Sequence, residues 1–310
     1  MTFAGSKGTG SFSQRCLPLF FFTAILFLAP TTQAFPVPDP QGEWARLYNE
    51  LAEMGLPSRF LRLLPVEFVK LEFADLKNVA AEYHPDDHRM VFHLSLSVGR
   101  QGTQLLPLRE VSNKDLATMY HELFHAYFDY VDFAYGTSKM SAQAVRLYQE
   151  AKRFAACRYT LVEISPSLPQ KGALRKAKTE TRRISERESW EALNETWGVF
   201  VGWALWNLLE STDRLDPART WDWEAVETFL DRLEEGYQSR ELAGYFEPTN
   251  PNERRQIPRW YLAPSHAISL PEIALLLKVI LEQSPAMARL AVQWLEDSTH
   301  HSSAPALGTC

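Results

Sequence analysis

Residues 112–131 read SNKDLATMYHELFHAYFDYV, and this stretch decides how the segments around it are interpreted. The Ser112 hydroxyl is placed to accept the free backbone N–H of Asp115, which is a common cap at the start of a helix. Apolar side chains then recur at helical spacing. The sequence therefore predicts a helix that begins near residue 113 and ends near Tyr130.

Within this helix His121 and His125 lie one turn apart, and Glu122 follows the first of them. Side chains at i and i+4 are about 40° apart around the helix axis and about 6 Å apart along it. Two imidazoles in that arrangement can converge on one tetrahedral metal ion, at about 2.1 Å from each nitrogen. Glu122 lies about 100° around the helix, so it flanks the ion and can reach a water bound there. Because zinc lowers the pKa of such a water toward about 7, a neighbouring carboxylate can take its proton.

Segments rich in β-forming residues precede this helix. Residues 66–73 are typical of a strand, and Asn78–Tyr83 and Met90–Val98 are typical of a strand pair on either side of a polar turn. The rest of the chain has almost entirely helical patterning, over residues 139–163, 173–210, 222–238 and 271–297. The sequence predicts an α+β, predominantly helical fold with a small antiparallel sheet before the His121–His125 helix.

Taken together, residues 76–131 resemble the zincin-like metallopeptidases, in which a His-Glu-x-x-His helix follows a small sheet. The resemblance implies a zinc-dependent peptidase with one Zn²⁺ per chain, held in part by His121 and His125, and with Glu122 as general base. It also implies that the strand before the motif helix lines the cleft and pairs with extended substrate. Residues 90–98 would be that strand.

The third metal ligand distinguishes the subclasses of this superfamily. Phe128 and Val131 stand where metzincins carry glycine and histidine, so that subclass is excluded. Lys139 follows Gly136-Thr137 at the position where aspzincins need an aspartate, so that subclass is excluded as well. The resemblance then implies a gluzincin-like ligand set, with a glutamate from a second helix as the third ligand.

Glu195 is the leading candidate for this third ligand. The chain becomes almost wholly apolar just after it, and a carboxylate that enters a buried stretch needs a compensating charge such as a metal ion. Asn194-Glu195 also resembles the Asn-Glu pair of gluzincins, although residues 139–190 would then form a helical insertion that compact family members lack. Glu191 and Glu150 remain alternative ligands.

Further roles are assigned to residues around this motif. Asp129 lies four residues after His125, so it could orient that imidazole through its second ring nitrogen. Gluzincins often use a tyrosine or histidine downstream of the third ligand to stabilise the tetrahedral oxyanion. The candidates for this role are Tyr237, Tyr245, Tyr261 and His266.

Composition and the two termini limit the remaining possibilities. The chain of 310 residues has a net charge of −6, which argues against a nucleic-acid-binding protein. Residues 1–34 combine two cations, an apolar run of about 13 residues and small residues near Ala34, which is typical of a secretory signal peptide. The polar residues 297–310 predict a disordered tail, and no disulfide between Cys157 and Cys310 is predicted.

The sequence thus predicts an exported zinc peptidase domain over residues 35–296, with a peptide or protein as substrate and no stable membrane insertion after signal cleavage. Two alternatives stay open. One is a non-catalytic scaffold of the same fold whose charged segment 171–188 binds a partner. The other is a zinc hydrolase that acts on a substrate other than a peptide. The fold alone does not decide between them.

Overall fold

A computed structural model describes residues 34–137, 140–166, 179–211, 223–239 and 242–300. Almost all of the predicted signal peptide, the first half of the charged segment 171–188 and the last ten residues of the predicted tail lie outside these ranges. Cys157 takes part in a disulfide, which the sequence did not lead us to predict. The other two cysteines, Cys16 and Cys310, are outside the described residues.

The described residues form an α+β structure that is mainly helical, as predicted. The helices are α1 (Pro40–Glu53), α2 (Arg59–Arg62), α3 (Asn113–Ala134), α4 (Ala142–Arg158), α5 (Glu186–Ser211), α6 (Trp223–Ser239), α7 (Pro251–Gln256), α8 (Leu270–Val279) and α9 (Pro285–His300). The strands are β1 (Phe35–Pro36), β2 (Lys70–Ala74), β3 (Ala81–His84), β4 (Arg89–His93), β5 (Leu161–Ser165), β6 (Glu180–Arg183), β7 (Tyr245–Phe246) and β8 (Trp260–Leu262). Among the described residues, no helix combines the length and apolar character needed to span a bilayer.

Helix α3 confirms the central prediction from the sequence. It begins at Asn113, and the hydroxyl of Ser112 accepts the N–H of Asp115 at 3.1 Å, as expected for its cap. The helix continues to Ala134, about one turn beyond the predicted end, because its last turn still buries Val131 and Ala134 in the core. Most of its length is buried, and its most extensive contact is with α5.

The first sheet has the strand order β1-β2-β4-β3. It is mixed, so the prediction of an antiparallel sheet is wrong for one pair of strands. Strands β3 and β4 form the expected antiparallel pair, but β2 runs parallel to β4. Strand β4 is therefore an interior strand, and β3 forms the edge next to α3. The prediction that residues 90–98 form the strand along the substrate cleft is also wrong, because β4 is paired on both sides. Strand β4 also ends early, because the His93 side chain caps a short 3₁₀ turn at Leu94–Leu96.

The second sheet, with the antiparallel order β6-β5-β8-β7, was not predicted. Strands β5 and β6 lie within residues 139–190, so the described part of the predicted helical insertion contains a strand pair as well as α4 and the start of α5. Strand β6 has the polar sequence Glu-Thr-Arg-Arg and becomes a strand by pairing with β5, whose Val162 and Ile164 are buried. At the other terminus α9 continues to His300, four residues into the predicted tail.

Helix α5 is fixed beside α3 by a buried polar contact with α8. The indole N–H of Trp197 donates to Glu272 at 3.0 Å, and the Tyr159 hydroxyl donates to the same oxygen at 3.1 Å. Arg158 forms an ion pair with Glu272, which is completely buried. A buried carboxylate with this many partners holds its neighbours in one arrangement, because any displacement would leave a charge unpaired. The contact fixes Trp197, two residues after Glu195.

Candidate metal centre

Three of the predicted side chains meet between α3 and α5. His121 and His125 project from α3, and their Nε2 atoms are 2.9 Å apart. Glu195 projects from α5, with its carboxylate oxygens 3.8 Å from His121 Nε2 and 3.7 Å from His125 Nε2. The three side chains form a group able to hold a metal ion, with ligand atoms within 4.8 Å of one another. The group is mostly enclosed, because each side chain is between 8% and 14% exposed.

Several properties of this group fit a divalent cation. Ligand atoms around a tetrahedral zinc ion are about 3.4 Å apart, so the observed separations require shifts of only about half an ångström. Among the described residues, Oε2 of Glu195 is buried and has no hydrogen-bond partner. Burial lowers the pKa of His125 to about 4 and the pKa of His121 well below its usual range. Both imidazoles are therefore neutral at pH 7, which is the form that binds metals.

The imidazoles are oriented by α5 on their far sides. Nδ1 of His125 lies 3.0 Å from Oδ1 of Asn194, so this nitrogen donates and Nε2 presents its lone pair to the site. A hydrogen bond to the backbone of Gly198 raises the pKa of His121, which means that a ring N–H donates to the carbonyl there. Contacts of this kind fix the tautomer and the angle of metal-binding histidines.

The predicted orienting role of Asp129 is wrong. Its Oδ2 accepts the Tyr83 hydroxyl at 2.6 Å and lies 2.8 Å from Nδ1 of His88. Although Asp129 is on the predicted side of α3, its carboxylate is held by strand β3 and the turn after it. The residue that contacts His125, Asn194, comes from a helix distant in sequence, which helical spacing within α3 cannot reveal.

Glu122 lies beside the metal-binding group without belonging to it. Its Oε1 is 3.8 Å from Nε2 of His121, and its Oε2 accepts the backbone N–H of Tyr83 at 2.8 Å. Burial raises the pKa of Glu122 well above its usual range, and the negative charge of Glu195 adds to the rise. The N–H of Tyr83 opposes this rise, because it stabilises the ionised carboxylate.

The alternative ligands Glu191 and Glu150 lie outside the group. Glu150 is on α4 and binds Arg153 on the same helix, at 2.7 Å. Glu191 is one turn before Glu195, but its Oε1 accepts the backbone N–H of Glu247 at 2.9 Å. Of the three glutamates proposed as third ligand, the structure brings only Glu195 to the two imidazoles.

Glu191 gives a prediction for the pH dependence of stability. Burial raises its pKa from 4.5 to about 8, so the folded chain holds a proton there that the unfolded chain releases above pH 4.5. The free energy of unfolding contributed by this site therefore falls as the pH rises from about 5 to about 8. Glu191→Gln removes this loss and keeps an oxygen for the Glu247 N–H. In denaturant unfolding we expect the variant to match wild type near pH 5 and to exceed it by about 1–3 kcal/mol near pH 8.5. An equal difference at both pH values would contradict the assignment.

Of the four candidates for the oxyanion donor, Tyr245 is the one at the site. Its hydroxyl lowers the pKa of Glu195, and burial together with the charge of Glu195 raises the pKa of Tyr245 well above the usual range. Tyr245 is brought there by Gly244, where an added Cβ would lie 2.5 Å from the backbone nitrogen of Thr196. Strand β7 can therefore approach α5 closely only with glycine at this position.

The other three candidates lie elsewhere. Tyr261 is the cross-strand partner of Tyr245, with ring centroids 5.9 Å apart. Tyr237 is on α6 and packs against the core. His266 accepts the backbone N–H of Glu163 at 3.0 Å and so supports strand β5.

Sequence reasoning missed Arg259. Its guanidinium lies 4.5 Å from the centre of the Tyr245 ring, and its positive charge lowers the pKa of both Glu195 and Glu122. Arg259 comes just before β8, and its place near α3 and α5 depends on the second sheet. Because β7 and β8 are only two and three residues long, they left no recognisable pattern in the sequence.

Comparison with family models, curated proteins and solved structures gave no match to this chain. The functional conclusion therefore depends on the geometry and chemistry of the site itself.

Proposed function

We propose that this protein is an exported, zinc-dependent hydrolase of peptide bonds. His121, His125 and Glu195 would hold the ion, and Glu122 would act as general base. The observation that carries the proposal is the meeting of these side chains. Glu195 comes from a helix seventy residues later in the chain and lies within 4 Å of both imidazoles. Glu122 stands beside them, on the same helix as the histidines.

When bound, zinc supplies a water of lowered pKa and polarises the carbonyl of the scissile bond. Glu122 takes one proton from the attacking water as the oxygen adds to the carbonyl carbon. The same carboxyl then gives that proton to the leaving nitrogen, and the C–N bond breaks to yield a carboxylate and an amine. The raised pKa of Glu122 suits this exchange, because burial makes its carboxylate a stronger base toward the proton of the water.

A peptide can approach along strand β3. Among the described strands β3 pairs only with β4, and the backbone N–H of Tyr83 points away from β4 to Glu122. An extended backbone added to this edge would therefore pass next to the general base. Tyr245 lies next to Glu195, and its hydroxyl would serve as the donor to the oxyanion once the carboxylate binds the metal.

Removal and return of the metal test this proposal. We expect the full mature chain to cleave an N-acetylated random hexapeptide library, as measured by mass spectrometry of the products. Cleavage should be lost after treatment with 1,10-phenanthroline and should return when Zn²⁺ is added back, since a metal site of this type exchanges its ion.

Two results would decide against peptide hydrolysis. Protein that holds one zinc ion per chain and cleaves no peptide, but hydrolyses a nitrophenyl ester, would favour a different substrate class. Protein that holds zinc and hydrolyses neither would favour the non-catalytic scaffold.

A further inference from the structure

One face of the second sheet borders the metal-binding group. Tyr245 and Tyr261 are cross-strand partners in the β7–β8 pair, and Glu247 and Arg259 are opposite each other one step outside it. Because side chains alternate between the faces of a strand, these four share one face, which we call the β7–β8 patch. All four are half-buried. The side chains of the opposite face are fully buried, and they are Phe246, Trp260 and Leu262.

The patch reaches the metal-binding group through one tyrosine ring. The Tyr245 hydroxyl is close enough to Glu195 to lower the pKa of that carboxyl, and the guanidinium of Arg259 lies over the same ring, 4.5 Å from its centre. The positive charge of Arg259 also lowers the pKa of His121, as expected for a cation near that imidazole. One tyrosine ring lies between Arg259 and Glu195, and a residue of extended peptide spans about 3.5 Å, so Arg259 can reach a substrate group about two residues from a bond held at the metal.

The patch itself carries one arginine and one glutamate, and a second arginine, Arg254, lies beside that glutamate. Glu247 is shared by two arginines, with Oε1 3.5 Å from Nε of Arg259 and Oε2 3.8 Å from Nη1 of Arg254. Glu191, which binds the backbone of Glu247, has a pKa raised to about 8 and is mostly uncharged at pH 7. Two guanidinium groups therefore share one carboxylate.

The geometry of Arg259 leaves room for a second anion. Its contact with Glu247 uses Nε, so this pair does not engage the two terminal nitrogens. A guanidinium can bind a carboxylate in bidentate fashion, and the attraction is strong where water is partly excluded. The Arg259 side chain is 34% exposed, so a ligand can reach it from solvent.

We propose that Arg259 binds a carboxylate of the substrate, within about two residues of the scissile bond. The inference rests on the proposed function and adds a substrate class to it. The carboxylate can be the C-terminus of the peptide or the side chain of an aspartate or glutamate. In the first case the enzyme removes one or two residues from a free C-terminus. In the second it cleaves next to acidic residues inside a chain.

Matched peptide libraries distinguish these two sources. An N-acetylated random hexapeptide library is prepared once with a free C-terminal carboxylate and once as the C-terminal amide, and each is incubated with zinc-loaded full chain. We expect at least about tenfold faster cleavage of the free acid if the C-terminus is bound. If a side chain is bound, both libraries are cleaved equally, with at least about tenfold enrichment of aspartate and glutamate at a fixed position beside the cleaved bond.

Variants at two arginines assign the preference to its residue. Arg259→Met should abolish whichever preference wild type shows, and Arg259→Lys should keep a reduced part of it, since lysine retains the charge without the bidentate geometry. Arg254→Met is the matched control, because it removes the other guanidinium on Glu247 and should leave the preference intact.

Binding provides a readout that does not depend on turnover. In equilibrium dialysis with the Glu122→Gln variant, we expect the free-acid library to be retained at least about tenfold better if the C-terminus is bound. If a side chain is bound, we expect the same enrichment of the peptides that contain aspartate or glutamate in both libraries. Arg259→Met in that background should remove either difference. If wild type cleaves both libraries at equal rates and the cleavage sites show no enrichment of aspartate or glutamate, the carboxylate proposal is overturned and the proposed function stays intact. Zinc-loaded protein that cleaves neither library would overturn the proposed function, and the dialysis result would then decide the carboxylate proposal alone.

Discussion

Replacement of Glu122 by glutamine is expected to lower kcat for peptide hydrolysis by about 10²–10⁴-fold and to leave the zinc content of the protein unchanged. Glutamine keeps the size of the side chain and an oxygen for the Tyr83 N–H, which Glu122 accepts at 2.8 Å. It cannot take a proton from water. Since Glu122 is not part of the metal-binding group, the loss should appear in the chemical step alone. The measurements are kcat on a cleaved library peptide and zinc per chain by elemental analysis.

Glu150→Gln is the control for this prediction. Glu150 is an exposed glutamate that pairs with Arg153 on α4, so its replacement should change kcat by less than about twofold. A Glu122→Gln protein that keeps substantial activity would exclude Glu122 as the general base. If the variant loses zinc as well, Glu122 is a ligand, and the division of roles between it and Glu195 is wrong.

Gly198→Ala is expected to weaken zinc binding by about 100-fold while the helices remain folded. An added Cβ would lie 2.8 Å from Cε1 of His125 and 3.1 Å from Cε1 of His121. Both rings must then move, yet His125 is held by Asn194 and His121 by the backbone of Gly198 itself. A shift of the ligand atoms by a few tenths of an ångström distorts the site enough to lower its affinity. Competition with a chromophoric chelator measures this affinity, and circular dichroism reports helix content.

Gly202→Ala adds the same methyl group one turn further along α5. There the Cβ would lie 2.9 Å from the backbone oxygen of Ala117 and 3.3 Å from Cβ of His121, so the strain falls mainly on the backbone contact between α3 and α5 and not on the imidazole rings. We expect this variant to have a lower Tm and a zinc affinity within a few-fold of wild type. Equal zinc affinity in Gly198→Ala and wild type would show that the imidazoles are not confined as the structure indicates.

The local features of the fold could be predicted because they depend on neighbouring residues. The start of α3 follows from the capping residue Ser112, and the convergence of His121 and His125 follows from helical spacing. Glu195 could also be proposed, because a glutamate at the start of an apolar helical stretch needs a compensating charge. The number of residues between Glu195 and the histidines did not matter, because the prediction depended only on the residues next to Glu195.

Features that depend on tertiary contacts could not be predicted in this way. The parallel pairing of β2 with β4 makes β3 the edge strand, and no local pattern shows which strands pair. Asp129 was expected to orient His125 because it is one turn away, but Tyr83 and His88 hold it instead. Glycine at 198 and 244 was a usable signal, since each lies where α5 is approached closely.

Arg259 and Tyr245 are the two residues near the metal-binding group that the sequence alone could not single out. Tyr245 is in the second sheet and Arg259 directly precedes its strand β8, and strands β7 and β8 are too short to be recognised from period-two alternation. Tyr245 was one of four equal candidates, and only the fold separates it from the others. Arg259 had no distinguishing context, because its partners Glu247 and Tyr245 are more than ten residues away.

Zinc content tests the account most directly, because every functional statement depends on a metal ion held by His121, His125 and Glu195. Wild type, Glu195→Ala and Glu191→Gln are loaded with Zn²⁺, dialysed together and analysed for zinc per chain. The account predicts about one ion per chain in wild type and Glu191→Gln, and less than about one tenth of that in Glu195→Ala. Full zinc content in Glu195→Ala, or wild type that retains far less than one ion, would contradict it.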